Sequence, residues 1–289
     1  VRTAGAALPY AVLALAVLAV SFGAIFVRYA EAPALAVAAW RMALASAVVV
    51  PAALAFGHRR AVGQDNGVAL AVGAGVLLAL HFATWISSLD YIPVAQSVLL
   101  VNTAPVWVAL IAWATGRDRP GPATWVAILL VLVGGAVIAG GDVASGGPGL
   151  GHALAIAGAI AMSGYLLLAR AAQHSLPFLP YVALAYGSAA VTLWAVTLAS
   201  GTAWRGFPEG TWVALLAMAG VSQLLGHGGY NWSLRHLPPA FVAVALTGEP
   251  LLAALLAWLL LGEAITAATA AGGVLLLAGI ALAAWGRGK

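Results

Sequence analysis

Apolar residues run along this chain in long blocks divided by short polar or Gly/Pro-rich breaks. The blocks fall near residues 9–29, 34–57, 67–89, 94–115, 121–141, 150–171, 178–200, 210–233, 240–262 and 267–286. Each reaches roughly the 20 residues that a helix needs to cross about 30 Å of hydrocarbon. Spanning backbone must satisfy its own hydrogen bonds, which leaves helices or closed barrels, and these blocks lack the strict apolar/polar alternation of barrel strands. The pattern therefore predicts an all-α integral membrane protein with ten transmembrane helices. The first block, "LPYAVLALAVLAVSFGAIF", is too long for the apolar region of a signal peptide and nine more spans follow, so it reads as the first helix.

Composition agrees. Of the 289 residues, 64% are hydrophobic and 7% charged, with mean hydropathy +1.04, against roughly 25% charged in a soluble domain. The absence of cysteine excludes disulfides, thiolate metal sites and cysteine nucleophiles. The formal charge is +4, but the basic residues are scattered, without the clustered patch and interleaved aromatics of a nucleic-acid surface. Their positions speak to topology instead. Ten spans put both termini on one side. With that side cytoplasmic, Arg2, Arg59, Arg60, Arg117, Arg119, Arg170, Arg235, Arg287 and Lys289 lie inside, and Arg28 and Arg205 outside, as the positive-inside rule requires. Arg41 lies within the second span. The expected location is a bacterial inner membrane, with both termini in the cytoplasm.

The chain also repeats itself. A shift of 145 residues pairs Ser88/Ser233, Pro93/Pro238, Pro105/Pro250, Trp113/Trp258 and Gly134/Gly279, and a shift of 142 pairs Ser21/Ser163 and Arg28/Arg170. Ala and Leu matches arise by chance in apolar sequence, so the Pro, Trp and Gly pairs carry the weight. They indicate two five-helix repeats, residues 1–145 and 146–289. An odd number of spans per repeat inverts the second half relative to the first, the plan of many secondary transporters.

The stretch "EPLLAALLAWLLLGEAITAATAAGGVLLLAGIAL" and its first-half counterpart "APVWVALIAWATGRDRPGPATWVAILLVLVGGAVI" resemble the repeat of the EamA family in the drug/metabolite transporter superfamily. The Pro, the "LGE" helix end and the downstream glycines carry the likeness, which covers essentially the whole chain. First-half "ATGRD" departs from "LGE", as suits a cytoplasmic helix end. Within the superfamily the chain is similar to YddG-like exporters of aromatic and other amino acids. That resemblance implies export as the direction of transport.

Candidate site residues follow from helical spacing. The third span carries Leu78, His81, Phe82 and Trp85 at i, i+3, i+4 and i+7, one face of a helix, and the eighth carries Gln223, Gly226, His227 and Tyr230 at the matching positions. Two readings stand for the rings. They line a shared cavity, or Trp85 and Tyr230, near helix ends, belong to interfacial belts; His81 and His227 lie too deep for a belt. Gln96, Asn102, Tyr165 and Glu249 are the further substrate-binding candidates. Pro105 and Pro250 each remove a backbone donor and free carbonyls that lipid cannot satisfy, so they mark helix bends. The bends either shape a central cavity or are structural, satisfied by a nearby Ser or Thr.

Glu249 poses the sharpest question, because an acid at mid-helix costs roughly 2.5–3.5 kcal/mol to insert. It is protonated and inert, paired with Arg41 or a His, or a site for a substrate amine or a coupling proton. The remaining acids, among them Glu31, Asp90 and Glu263, sit at helix ends or in loops and read as solvated caps.

The function classes separate on motifs. No "GxxxxGK[ST]" loop is present to power transport by ATP, and no "HExxH" zinc site or Gly-x-Ser-x-Gly elbow supports an intramembrane enzyme. Rings of like charge or filter loops that would mark a channel are also missing. No metal or cofactor is expected. An aromatic lining with His, amides and one acid suits a zwitterion better than a polyanion. The expected function is secondary export of small zwitterionic metabolites, amino acids including aromatic ones, by alternating access. A multidrug or other metabolite exporter is the alternative. The partners are a small-molecule substrate and the lipid bilayer, with a proton as candidate coupling ion and a monomer or homodimer as the assembly. The charge distribution makes a direct prediction: a cysteine at Ser145 reacts with an impermeant thiol reagent from outside, and one at Gly63 does not. The reverse labelling pattern refutes the topology.

Overall fold

A computed structural model describes residues 3–56, 66–116, 121–144, 149–233, 236–237, 245–246 and 248–285, and helices joined by short turns account for them, without strands. The helices are Thr3–Ser21 (α1), Gly23–Tyr29 (α2), Ala34–Phe56 (α3), Gly67–Ser88 (α4), Val94–Val101 (α5), Ala104–Ala114 (α6), Pro122–Ala144 (α7), Leu150–Ala172 (α8) and Phe178–Ala199 (α9). Glu209–Ala217 (α10) runs into a π-helix at Met218–His227 and then into Gly228–Ser233 (α11), followed by Gly248–Leu261 (α12) and Ala267–Trp285 (α13). Among the described residues, six stretches are long and apolar enough to cross a membrane: Ala7–Tyr29, Ala34–Phe56, Gly67–Ser88, Val94–Ile111, Leu150–Ala172 and Phe178–Ala199. Pro122–Ile138, Gly248–Leu261 and Ala267–Leu282 are shorter apolar helices. Of the basic residues that set the expected topology, only Arg28, Arg170 and Arg205 fall within the described residues; Pro238 falls outside them.

Small residues decide which helices touch. Lipid tails are as apolar as leucine, so helices associate by close packing, which small side chains permit. One face of α8 buries Gly151, Ala155, Gly158, Ala159, Ala169 and Ala172. Opposite it, α4 buries Gly67, Ala71, Ala74, Leu78, His81, Phe82 and Trp85 at helical spacing. The most extensive packing joins α4 to α8 and α9, α3 to α9, and α7 to α13.

The α7–α13 crossing is built on glycine. A Cβ at Gly272 would fall 2.5 Å from the carbonyl oxygen of Gly134, and one at Gly279 would fall 2.8 Å from that of Ala127. Under the 145-residue shift Ala127 maps to Gly272 and Gly134 to Gly279, so the two contacts exchange with one another. A second pair exchanges in the same way. Ser21 Oγ donates to Val17 O at 2.7 Å and lies 3.5 Å from Glu249 O. Ser163 Oγ donates to Ala159 O at 2.7 Å and to Ala104 O at 2.9 Å. Ala104 and Glu249 are the residues preceding Pro105 and Pro250, 145 positions apart.

The fourth span breaks at Asn102 and Thr103, between α5 and α6, with Pro105 in the first turn of α6. Hydroxyls close the break: Thr103 Oγ1 donates to Leu100 O at 2.7 Å and accepts Trp107 Nε1 at 3.0 Å, while Ser163 reaches Ala104 O. The carbonyls of Leu100 and Ala104 around the first proline are thus met by neighbouring Thr and Ser hydroxyls. The spans that start with α5 and with α12 both end on a left-handed glycine, Gly116 (φ 68°) and Gly262 (φ 67°), a conformation open to Gly at little steric cost.

Glu263, read from sequence as a solvated cap, does more. Its carboxylate accepts the Val94 N–H at 2.7 Å, at the start of α5, and pairs with Arg28 Nη2 at 3.1 Å. The same Arg28 nitrogen donates to Ile92 O at 3.1 Å. One acid thus joins the end of α2, the start of α5 and the turn after α12, at a helix N-terminus where negative charge is favoured.

The glycine crossing predicts an asymmetry between neighbours. Gly272→Ala forces the backbones of α7 and α13 apart and is expected to destabilise the detergent-solubilised protein by about 1–3 kcal/mol. Gly135→Ala, whose Cβ would meet only Leu100 Cδ2 at 3.5 Å, is expected to leave the melting temperature nearly unchanged. Equal melting of the two variants refutes the close crossing.

Candidate functional site

The rings of α4 and of the π segment meet. Phe82 and His227, positions related by the 145-residue shift, pack edge to face at 5.5 Å. His81 lies 4.9 Å from Phe82 and stacks at 6.0 Å on Trp85. His227 lies 5.1 Å from Tyr230, whose hydroxyl is 3.1 Å from His227 Nδ1. The sequence candidates His81, Trp85, His227 and Tyr230 therefore form one cluster. Trp85 is 5% exposed and Tyr230 3%, so both rings are enclosed by protein, where an interfacial belt would face lipid and headgroups. The tip of Trp85 sits against Gly23, at which a Cβ would lie 3.4 Å from the ring.

His81 Nδ1 lies 2.9 Å from the carbonyl oxygen of Gly158. A carbonyl only accepts, so this nitrogen carries the proton and is committed to tying α4 to α8. Only Nε2 remains for other chemistry.

The eighth span departs from the expected winding. The spacing of Gln223, Gly226, His227 and Tyr230 fits a 3.6-residue period, yet Met218–His227 winds as a π-helix, with Gln223 and Gly226 buried. Tyr230 is buried as well, and His227 half-buried. π turns concentrate at functional sites. Gly226 is required there by contact with α1: a Cβ would sit 2.6 Å from Val20 Cγ1 and 3.0 Å from its backbone nitrogen. Ser222 Oγ adds a bond to Ala19 O at 3.1 Å.

Arg41 joins the cluster in place of the partner the sequence offered. No ion pair within 4.0 Å links it to Glu249; the two are within longer electrostatic reach. Instead, Arg41 Nε donates to Gln223 Oε1 at 2.8 Å, and the guanidinium lies 4.1 Å over the Phe82 ring and 5.8 Å from that of Trp85. A cation over an aromatic face is stabilised by the ring quadrupole.

Glu249 is half-buried near the start of the described part of α12, with the Asn102 side chain near its carboxyl. Asn102 Nδ2 also donates to Val98 O at 2.9 Å. Pro250 follows it directly, and residues 245–246 just before are helical as well. The expected bend before Pro250 and the polar Thr247 involve residues 238–244 and 247, which lie outside the described residues.

Tyr165 is buried beside Tyr181 and Asn231, and Tyr186 and Tyr230 lie nearby. Sequence reasoning missed Tyr181, Tyr186 and Asn231, since isolated tyrosines in apolar spans carry no spacing signal. Gln96 belongs to a different network. Its Nε2 donates to Thr269 Oγ1 at 3.3 Å and its Oε1 lies 3.1 Å from His152 Nε2. That bridge joins α5, α8 and α13 and occupies both ends of the amide.

Comparison with known proteins supplies the context. The EamA-like transporter family is matched twice, over residues 7–140 and 149–285. The chain is similar to the uncharacterized transporter sll1319 of Synechocystis sp., 26% identical over 203 residues, 68% of this chain and 60% of that protein. It is also similar to the uncharacterized transporter YwfM of Bacillus subtilis, 22% identical over 188 residues, 64% of this chain and 62% of that protein. The matches thus span less than two thirds of either relative's length. A protein of known crystal structure shares the fold with a TM-score of 0.65 at 22% identity, covering 97% of this chain and 96% of that one.

The two networks respond differently to substitution. Gln96→Leu removes the hydrogen bonds that His152 Nε2 and Thr269 Oγ1 make to its amide and is expected to cost about 1–3 kcal/mol of stability, without altering ligand binding at the ring cluster. Loss of binding at unchanged melting temperature instead places Gln96 in the site.

Proposed function

Because the chain belongs to the EamA-like transporter family, we propose that this membrane transporter exports small zwitterionic metabolites, amino acids including aromatic ones, by alternating access. The reading takes ten spans arranged as two inverted repeats, residues 1–145 and 146–289, in a bacterial inner membrane with both termini cytoplasmic. The observation that carries it is the contact of Phe82 with His227. Equivalent positions of the two halves touch only where an axis relating them passes, and inverted-repeat transporters bind substrate at the repeat interface. The exchanged pairs Gly134–Gly272 and Ala127–Gly279, and the matched serines Ser21 and Ser163, support the same axis.

The site favours an amino acid over a cationic drug. Trp85, Tyr230 and Phe82 offer aromatic surface, but Arg41 already occupies the faces of Phe82 and Trp85, so a second cation there meets like charge. Glu249, beside Asn102 and retaining partial exposure, is the acid placed to receive a substrate amine or a coupling proton. Without an ion pair to Arg41 it does not act as a strut.

Counterflow of labelled amino acids into proteoliposomes carrying the purified protein tests this function. Uptake is expected with aromatic amino acids, and its absence across the amino acids refutes the reading. Trp85→Ala and Tyr230→Ala are expected to lower counterflow about tenfold or more with the protein folded, because burial of one aromatic side chain is worth roughly 1.5–3 kcal/mol. Glu249→Gln keeps shape and hydrogen bonding but removes the titrating group. Its counterflow is expected to lose most of its pH dependence; an unchanged rate and pH profile removes Glu249 from the mechanism.

A further inference from the structure

We propose that Arg41, with Gln223 and Trp85, forms the receptor for the carboxylate of a monoanionic or zwitterionic substrate. The inference rests on the transport reading above for its occupant, and on the following geometry for its chemistry.

Arg41 is 1% exposed, a guanidinium enclosed on all sides by protein. One of its donors, Nε, is bound to Gln223 Oε1 at 2.8 Å. Its Nη1 has no hydrogen-bond partner, and neither has Gln223 Nε2 or Trp85 Nε1. Tyr186 Oη stands near the Gln223 amide without making a hydrogen bond to it. Three buried donor nitrogens without partners thus belong to Arg41 and to two residues beside its guanidinium, Gln223 and Trp85. A buried donor left unmade is costly, and a buried charge without a counterion more so. A structural arginine is normally surrounded by acceptors. This one is anchored through a single bond and held by aromatic faces, which fix its plane without consuming its donors.

The unfilled set matches one ligand chemistry. A carboxylate is acceptor-only, with two oxygens able to receive several donors, and guanidinium matches its planar geometry. The three donors have no acceptor among them, so a hydroxyl or an amine satisfies them less well than an anion does. One guanidinium, with no second Arg or Lys among the described residues that adjoin the cluster, sets the charge at a single negative group and disfavours phosphates. The rings of Phe82, His227 and Tyr230 around it supply apolar surface for the remainder of such a molecule. His227 and Glu249, both within electrostatic reach of Arg41, keep partial exposure. Glu249 is thereby placed to receive the ammonium of a zwitterion whose carboxylate rests on Arg41.

Thermal stabilisation of the purified full chain in detergent tests this with three probes that share an indole ring. L-tryptophan carries both carboxylate and amine, indole-3-propionate only the carboxylate, and L-tryptophanamide only the amine. The two acids are expected to raise the melting temperature of the wild-type protein and the amide to bind about tenfold more weakly or worse, because a hydrogen bond to a charged group is lost. Arg41→Gln is expected to abolish the preference for acid over amide, and Arg41→Lys to restore part of it. The series on the wild-type protein needs no variant to fold. Equal stabilisation by acid and amide overturns the carboxylate assignment and leaves amino acid transport standing. Stabilisation by indole-3-propionate but not by L-tryptophan upholds Arg41 and overturns the amino acid reading. Protection by sodium chloride equal to that by the acids at the same concentration also overturns the assignment, since the site is then a general anion site.

Discussion

Hydrocarbon offers the backbone no hydrogen bonds, and the helix break and close crossings described in this fold answer to that constraint. Where a helix is interrupted, a side chain supplies what water would supply elsewhere. Thr103 covers Leu100 O at the break between α5 and α6. Ser163 and Ser21 each back-bond to their own helix and reach toward the carbonyl before a proline in the opposite half. Where two helices must approach, glycine removes the Cβ that would separate them, as at Gly134, Gly272 and Gly279. These devices are cheap in sequence, one Ser, Thr or Gly each. They hold the helices in register while leaving the polar chemistry elsewhere free to differ between the halves.

That difference is where function resides. The structural positions repeat: Ser21 with Ser163, Gly134 with Gly279, Pro105 with Pro250. Inside the ring cluster the halves diverge, with Phe82 facing His227, Leu78 matched by Gln223, and Ala104 by Glu249. A binding site on an axis between equivalent halves presents equal surroundings to both ends of a ligand unless the sequence breaks the equality. Here Gln223, His227 and Glu249 come from the second half, while Arg41 and His81 come from the first. The proposed site thus carries unlike polar groups from its two halves, as the zwitterion reading requires.

The helices and the repeat were legible because the membrane imposes length and because Pro, Trp and Gly are used for backbone and contact reasons that survive divergence. His81, Trp85, His227 and Tyr230 were legible as a face, and the structure brings them together. The partner of Arg41 was not. Charge alone pointed to Glu249, but proximity is decided by how α3 and the π segment pack, and the residue that meets the guanidinium, Gln223, lies 182 positions away. The π winding was hidden for a related reason: Gln223, Gly226, His227 and Tyr230 satisfy a 3.6-residue period on paper. Within that segment Gly226 meets Val20 of α1, a tertiary contact that spacing along one helix does not announce. Gln96 looked like its neighbour Asn102, a polar residue in the same span, yet the two diverge because Asn102 lies at the break beside Glu249 and Gln96 lies one turn from the α5 start, against His152 and Thr269.

The energetics of Arg41 connect these points. A buried guanidinium with a free donor is a standing penalty, and a fold selected only for stability would replace it with an apolar residue of similar volume, a substitution often neutral or favourable at buried ion sites. Here the charge is kept. It is braced by Phe82 and Trp85 and oriented by Gln223, so that the cost of desolvating it is met once, in folding, and not again at each binding event. Preorganisation of this kind raises affinity by lowering the cost of ordering the site. On the proposed alternating-access reading, the unpartnered donors of Arg41, Gln223 and Trp85 would favour an anionic occupant without favouring either exit.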